Sequence, residues 1–221
     1  MQVIPIIQQI GIWAIPVLFA IIIHEVAHGW VAYQLGDPTA KNLGRLSLNP
    51  IKHIDPIGTL VVPILLLSFS NFLFGWAKPV PINWHNLRNL KSNIILVALA
   101  GPGSNFLMAL FWALFAKISS LSVYPDNPWG YILYFMGPAG IVINLMLMVF
   151  NLLPVPPLDG SRVLAVFLKG KTAWYYSRLE NFGFIIVALL VFTGLLIPLI
   201  SPIIYGLSSL LGQLFNLPQM R

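Results

Sequence analysis

The sequence predicts an all-α polytopic membrane protein: a bundle of about four to six transmembrane helices with a re-entrant or β-hairpin-like segment near its functional site. Of its 221 residues, 58% are hydrophobic and only 8% are charged, and the mean hydropathy is +0.85. Water-soluble domains carry about a quarter charged residues. Several separate apolar runs reach the roughly 20 residues that a helix needs to cross a bilayer. We expect one membrane domain over residues 1–221, with its core at about 6–168 and C-terminal transmembrane segments at 182–215.

Charge and cysteine content narrow the possible functions. The net charge is +6, but the basic residues are scattered through loops between apolar segments. This distribution indicates a positive-inside bias in a lipid bilayer, and we expect no nucleic-acid partner. The chain contains no cysteine, which excludes thiolate metal ligands, disulfides and cysteine nucleophiles. Any metal site must therefore use histidine, aspartate or glutamate.

The first part of the chain is predicted to hold one clear span and one ambiguous segment. The clear span covers Ile6–Gln34, is expected to be a retained helix, and is ended by Gly36 and Pro38. Residues 39–56 form a polar, basic connector that we expect on the cytoplasmic side. Residues 57–75 are apolar enough to cross the membrane, but they contain a proline and three polar side chains.

The middle of the chain is predicted to contain two further spans, at 93–117 and 131–153. A polar and basic loop at 76–91 precedes them. Each span contains a Gly-Pro pair, where the proline should kink the helix and the small residue allows a neighbour to approach closely. Three prolines beyond the second of these spans are expected to stop it.

The last part is predicted to begin with a short amphipathic helix at 159–168. After a basic loop, residues 184–200 are apolar and long enough to form another span, which Ser201 and Pro202 are predicted to break. The tail at 203–215 is apolar but short, so its sequence is compatible with spanning the membrane, re-entering it or lying at its surface.

The motif His24-Glu25-Val26-Ala27-His28 lies inside the apolar first span. On a helix, positions i and i+4 face the same way, so the two histidines can offer imidazole nitrogens to one zinc ion. Three ionisable residues within a membrane-length apolar segment are costly and need a partner such as a metal. Glu25 is placed to take a proton from an attacking water. The competing interpretation is a buried polar cluster that holds helices together.

A catalytic zinc takes three protein ligands and keeps one position open. The candidates for the third ligand are His53, His85, Asp37, Asp55, Asp126, Asp159 and Glu180. Asp159 is favoured because a proline-rich turn precedes it and Gly160 follows it, a rigid frame that can hold one carboxylate in place. His53 and Asp55 form an H-x-D pair that could hold a second metal, although such a pair at a membrane surface is usually just solvated.

The segment Asn151-Leu152-Leu153-Pro154-Val155-Pro156-Pro157-Leu158-Asp159-Gly160, together with the H-E-x-x-H motif, resembles the site-2 protease family of intramembrane zinc metalloproteases, in a minimal form without a PDZ domain. The resemblance covers about residues 6–168. It implies that His24, His28 and Asp159 hold one catalytic Zn²⁺ and that Glu25 activates water. Asn151 resembles a family position implicated in holding substrate, and residues 100–105 are similar to a family motif on the intervening helix.

The resemblance implies a zinc metalloendopeptidase that cleaves single-span membrane proteins within or near their transmembrane segments. We expect it in the plasma membrane of a prokaryote, with its active site towards the cytoplasm. Asn105 and Asn151 are candidates for bonding the substrate backbone, although for Asn105 a helix-packing hydrogen bond is an equal alternative. Residues 59–62 are β-prone and could add an unwound substrate as a strand. The alternative functions are a divalent-metal transporter and a proteolytically inactive membrane scaffold.

The predicted zinc site also predicts the topology. One metal joins His24 and His28 to Asp159 most easily if the first span and the 131–153 span run parallel. An odd number of crossings must then separate them, and residues 93–117 supply one. We therefore expect residues 57–75 to enter and leave on the same side of the membrane.

Overall fold

The computed structural model describes residues 5–61, 77–122 and 127–217. Over these residues the chain is helical and contains no strand. Short 3₁₀ turns lie at Pro50–His53, Trp84–Asn86 and Glu180–Phe182, and a wider π-helical turn lies at Pro56–Val61. The α-helices are α1 (Ile6–Gln34), α2 (Thr39–Asn42), α3 (Leu90–Ser122), α4 (Pro128–Asn151), α5 (Asp159–Phe167), α6 (Gly170–Leu179), α7 (Gly183–Phe192) and α8 (Leu196–Leu214).

Five helical stretches in the described part of the chain are long and apolar enough to cross a membrane. They are α1, α3, α4, the stretch Gly170–Phe192 that contains α6 and α7, and α8. At 1.5 Å per residue even the 19-residue α8 is about 28 Å long, close to the thickness of the hydrocarbon layer. The prediction of an all-α polytopic membrane protein is confirmed.

Helices α1, α3 and α4 pack against one another and form the core that carries the site. Gly11 of α1 lies against Ile132 of α4, near the beginning of both helices, so these two helices run parallel. Helix α3 runs antiparallel to both, because its Val97 lies beside His28 and its later Asn105 lies beside the earlier Ala20 of α1. A Cβ built at Gly140 of α4 would lie 2.2 Å from the Trp112 ring of α3, so only glycine allows this approach.

The connector between α1 and α3 begins and ends at the same end of the bundle. The Arg88 N–H donates to the Leu35 carbonyl at 3.2 Å, and the Lys78 N–H donates to the His53 carbonyl at 2.9 Å. His53 and Lys78 flank the segment 57–75, so both of its flanks lie at the same end of the helix bundle. The predicted topology requires this arrangement. Most of that segment, residues 62–75, lies outside the described residues.

The described start of this segment differs from the sequence-based prediction. Residues 59–62 are β-prone, but Pro56–Val61 forms a helical turn instead of a strand. The Asp55 carboxylate accepts hydrogen bonds from the N–H groups of Ile57 and Gly58, at 3.0 and 2.7 Å. This side chain therefore caps the start of a helical turn, and the local cap outweighs the weak β preference of the residues that follow.

The predicted span at 184–200, with a break at Ser201 and Pro202, is wrong. The break lies earlier, because α7 ends at Phe192 and Gly194 adopts a left-handed φ of +71° that ends the helix. Helix α8 then continues through Pro202 without interruption. Proline is tolerated within membrane helices, where neighbouring groups can satisfy the freed carbonyl, so its presence alone does not mark a helix end.

Candidate metal centre

His24 and His28 lie one turn apart on α1 and face the interior of the three-helix core. Both residues are buried, with 8% and 7% of their surface exposed. Their Nε2 atoms are 3.0 Å apart, and the two rings meet edge to face. The i, i+4 spacing thus brings two imidazole nitrogens to one point, as the sequence predicts.

Asp159 reaches the same point from the turn between α4 and α5. Its Oδ2 atom lies 3.2 Å from Nε2 of His24 and 3.2 Å from Nε2 of His28. A Cβ at Gly160 would lie 2.2 Å from the Leu152 carbonyl oxygen, so glycine is needed for the turn to close tightly. The Leu158 carbonyl accepts hydrogen bonds from both the N–H and the hydroxyl of Ser161. These two bonds stabilise the first turn of α5, which carries the carboxylate.

The three donor atoms form a triangle that suits zinc. A tetrahedral ion with ligands at 2.0–2.1 Å places them about 3.3 Å apart, and the observed separations are 3.0, 3.2 and 3.2 Å. The Asp159 Oδ2 atom is buried and accepts no well-aligned hydrogen bond. Among the described residues, this is the one group of three or more histidine and carboxylate side chains with converging ligand atoms. Zn²⁺ fits this donor set.

Hydrogen bonds on the far side of each imidazole fix its tautomer. His28 Nδ1 lies 2.7 Å from the Val97 carbonyl, and His24 Nδ1 lies 2.6 Å from Oδ1 of Asn105. Both partners are acceptors, so each Nδ1 carries the proton and donates it. Each Nε2 therefore presents its lone pair to the site, which is the form that binds a metal.

Asn105 of α3 is fully buried and links all three core helices. Its amide nitrogen donates to the Ala20 carbonyl on α1 at 3.1 Å and to Oδ1 of Asn144 on α4 at 3.0 Å. Asn144 in turn donates to the Gly140 carbonyl at 2.9 Å. These contacts engage both amide hydrogens and the oxygen of Asn105. The side chain is therefore held in one orientation, and its oxygen orients the His24 ring. The predicted substrate contact of Asn105 stays a prediction.

Gly101 of α3 forms a wall of the site beside the two histidine rings. A Cβ at this position would lie 2.3 Å from Nε2 of His28 and 2.6 Å from Nε2 of His24. Only glycine leaves the space in which the donors converge. The sequence pattern predicts no role in the site for Gly101, although its place in a Gly-Pro-Gly run indicates close approach by a neighbour.

Glu25 is half-buried, and its carboxylate contacts the chain segment that precedes α3. Its Oε2 atom accepts a hydrogen bond of 2.7 Å from the Val80 N–H. Glu25 is not among the converging ligand atoms. Its position beside His24, outside the ligand set, is compatible with the role of a proton carrier.

The remaining candidates for the third ligand lie elsewhere or have other partners. The His53 ring contacts the Ser47 carbonyl at 2.7 Å, and Asp55 caps a helical turn. His85 is exposed, and Glu180 lies 3.8 Å from Arg162. Asp126 lies outside the described residues. The predicted H-x-D metal pair is therefore not part of a ligand cluster among the described side chains.

Asp37, just beyond α1, is buried and accepts four hydrogen bonds. The donors are the N–H and hydroxyl of Thr39, the Asn86 amide and the Asn83 N–H. Burial alone raises the pKa of Asp37, but these hydrogen bonds outweigh it and hold the pKa below its ordinary value. Asp37 is therefore an anchor for the chain around it and does not reach the metal centre.

Asn151, at the end of α4, is half-buried. Its amide nitrogen donates to the Leu147 carbonyl of its own helix at 3.0 Å. This contact neither requires nor excludes a substrate, and the predicted substrate-binding role of Asn151 stays a prediction.

Comparison with known proteins identifies the family. The sequence model of peptidase family M50 matches residues 125–194. The chain is 37% identical over 184 residues to the "Putative zinc metalloprotease YwhC" of Bacillus subtilis, covering 82% of this chain and 80% of that protein. No solved structure gives a significant match.

Two mycobacterial relatives agree with this assignment. The chain is 30% identical over 178 residues to the "Putative zinc metalloprotease Rip2" of Mycolicibacterium smegmatis, covering 80% of this chain and 64% of the relative. It is 26% identical over 196 residues to the protein of the same name from Mycobacterium tuberculosis, covering 88% and 72%. This chain therefore belongs to peptidase family M50, the site-2 protease family, and is a membrane-embedded zinc metalloprotease.

Proposed function

We propose that this protein is an intramembrane protease that hydrolyses peptide bonds within or near the transmembrane segments of single-span membrane proteins. The observation that carries the proposal is the convergence of His24, His28 and Asp159 inside a bundle of membrane-length helices, with Glu25 beside them. His24 lies ten residues before the end of α1, which is about 15 Å along the helix axis. A site at that depth is within reach of a bond inside a membrane-embedded substrate.

The ligand roles follow from the donor geometry. His24 and His28 would hold zinc through Nε2, and Asp159 would hold it through Oδ2. When bound, Zn²⁺ polarises the scissile carbonyl and lowers the pKa of water towards about 7. Asn105 and the Val97 carbonyl keep the two rings in the tautomer that this binding needs.

Glu25 would act as general base and then as general acid. Its carboxylate takes one proton from water as the water oxygen forms a bond to the carbonyl carbon. The carboxylic acid then returns that proton to the amide nitrogen as the C–N bond breaks. The products are a new carboxyl end and a new amino end, and the Glu25 carboxylate is restored.

The substrate must be locally unwound, because a helix hides its carbonyl groups in i to i−4 hydrogen bonds. An unwound backbone in lipid needs new partners for its polar groups. Asn151, at the end of α4 and eight residues before Asp159, is the residue that we propose for one such contact. A single-span substrate suits the site because its one transmembrane helix can enter laterally from the lipid. This helix can unwind locally without disrupting a larger fold.

The surroundings of the site support an orientation with the site towards the cytoplasm. The connector at the end of α1 carries Lys41, Arg45, Lys52 and Lys78, and positive charge accumulates on the cytoplasmic side. We propose the plasma membrane of a prokaryote as the location, and residues 1–221 as one membrane domain.

The experiment that tests the proposal is co-expression with candidate single-span, membrane-tethered regulators. Fragments produced by the wild type are compared with those produced by Glu25→Gln, and zinc is measured in both purified proteins. We expect cleavage only by the wild type and near-equal zinc content, because the substitution removes the base and leaves the three ligands in place. Cleavage at the wild-type rate by Glu25→Gln would exclude this mechanism, and a zinc loss as large as that of His24→Ala would make Glu25 a ligand.

A further inference from the structure

The Glu25 carboxylate is held by a backbone group that is remote in sequence. The Val80 N–H donates to Oε2 of Glu25 at 2.7 Å, across 55 residues. A hydrogen bond from a neutral donor to a carboxylate is strengthened by the charge, and more so away from water. Glutamate has several rotatable bonds, so a fixed donor to one oxygen limits where the other oxygen can point.

Further contacts hold the segment 77–86 in place beside α1. Val80 is buried and lies over Gly29 of α1, where a Cβ would approach its Cγ1 atom to 2.7 Å. Arg45 donates to the carbonyls of Lys78 and Pro79, at 2.9 and 3.3 Å. The N–H of Val80 is therefore presented to Glu25 by a segment that has little freedom to slide.

Two prolines make the Val80 N–H the single donor in its stretch of backbone. Pro79 and Pro81 have no N–H. A shift of this segment by one residue in either direction would leave Glu25 facing a proline nitrogen and no donor. The sequence thus fixes one register for the contact.

Asp37 anchors the far end of the same segment. Its Oδ2 atom accepts from the Asn83 N–H at 2.7 Å, and its Oδ1 atom accepts from the Asn86 amide at 2.8 Å. Asp37 is fully buried and lies only three residues beyond α1. It therefore joins the helix that carries Glu25 to the segment that carries the Val80 donor.

We propose that the Val80 N–H positions Glu25 for proton transfer, and that Asp37 is the positioning residue that holds segment 77–86 in place for this contact. The inference rests on the proposed role of Glu25 as general base. With Oε2 engaged by Val80, Oε1 is the oxygen that exchanges the proton. Loss of the contact lowers the rate of the chemical step and leaves zinc binding intact, because none of the three ligands touches this segment through a hydrogen bond among the described residues.

The first test uses hydrogen–deuterium exchange of the full-length, zinc-loaded protein in detergent micelles, without substrate. Val80 carries the one exchangeable backbone amide in residues 79–81, so its rate can be read from fragments covering them. We expect slow exchange in the wild type and exchange faster by about tenfold or more in Glu25→Ala and in Asp37→Asn. Glu180→Ala serves as control and should match the wild type, because Glu180 is exposed, pairs with Arg162 and makes no hydrogen bond to Val80, Glu25 or Asp37 among the described residues. Wild-type exchange in Glu25→Ala would overturn the proposal, because burial alone would then protect the amide.

The second test compares Val80→Pro, which removes the N–H, with Val80→Ala, which keeps it. The probe is a fluorescently labelled single-span membrane protein in the same micelles. We expect kcat of Val80→Pro to fall about tenfold or more below that of Val80→Ala, with similar KM and zinc content. Asp37→Asn should also lower kcat while leaving KM and zinc content similar. This variant keeps the test valid if Val80→Pro fails to fold. Equal kcat values in folded Val80→Pro and Val80→Ala would contradict the positioning role.

The two tests separate this inference from the proposed function. If the wild type cleaves no membrane substrate, the proposed function fails, but the exchange experiment still shows whether Glu25 and Asp37 hold the Val80 amide. If cleavage occurs and Glu25→Ala leaves the Val80 exchange rate unchanged, the inference fails and the proposed function stands.

Discussion

Oδ1 of Asn105 lies 2.6 Å from Nδ1 of His24, and this contact ties the ligand geometry to helix packing. The same Asn105 side chain bonds to α1 through Ala20 and to α4 through Asn144. The orientation of His24, a proposed zinc ligand, therefore depends on the mutual positions of all three core helices.

Replacement of Asn105 by alanine should weaken zinc binding about 10- to 100-fold, as is usual when the hydrogen-bond partner of a ligating histidine is lost. Competition with a chelator of known affinity measures the change. Asn151→Ala is the matched control, because among the described residues its amide donates to its own helix. Its zinc affinity should stay close to that of the wild type. Equal affinity of both variants would show that Asn105 does not orient His24.

Gly101→Ala should abolish zinc binding without destroying the helix. The added Cβ would lie 2.3 Å from Nε2 of His28 and would push the donor atoms apart. Gly103→Ala, two residues away on α3, is the control, because a Cβ there meets no atom within 4 Å. This control should retain zinc and gain up to about 1 kcal/mol of helix stability. Metal analysis measures the zinc content of the two variants, and thermal unfolding measures their stability. Equal zinc content in both variants would contradict the prediction for Gly101.

Asp159→Ala should lower zinc content and proteolysis together, because it removes one of three converging donors. Glu180→Ala should leave both nearly unchanged, since Glu180 is exposed and pairs only loosely with Arg162. The measurements are metal content and fragment yield for each purified variant. The reverse pattern would transfer the third ligand to Glu180 and invalidate the donor triangle described above.

Asp37 should make stability depend on pH in the acid range. Its pKa is lowered in the folded protein, so its contribution to stability is fully present above the ordinary carboxyl value of about 4 and is lost as the pH falls through the lower, folded value. Asp37→Asn lacks this contribution at every pH. The melting temperatures of the two proteins should therefore differ most at neutral pH and converge below about pH 4. A constant difference across this range would show that the carboxylate charge of Asp37 does not stabilise the fold.

The segment 57–75 should enter and leave on the cytoplasmic side. Cysteines introduced at Lys52 and Lys78 can be probed with an impermeant thiol reagent on intact cells, and the natural chain has no cysteine to interfere. Both positions should be protected in intact cells and labelled after permeabilisation. If one is labelled and the other is protected in intact cells, the segment crosses the membrane and the topology is wrong.

The sequence alone determined the membrane class and the main spans, and it predicted the three residues that we propose as zinc ligands. Apolar runs of membrane length leave a helix as the only way to satisfy the backbone in lipid, so α1, α3 and α4 follow from composition. Helix geometry predicts that His24 and His28 face one point, and the rigid turn before Asp159 favours this residue among the candidates for the third ligand. Each of these conclusions depends on residues that are close together in the chain.

Tertiary structure decided what depends on residues that are far apart. The wall formed by Gly101, the orientation of His24 by Asn105, and the contact between Val80 and Glu25 join different helices and loops, and no local pattern encodes such pairings. The sequence also failed to predict the break at Gly194 after α7 and the continuation of α8 through Pro202. A proline ends a helix or lies within it according to what its neighbours supply. Packing selects among the local preferences that the sequence permits. It does so most strongly around the metal centre, where α1 and the start of α5 bring donor atoms to a single point and α3 bounds the space between them.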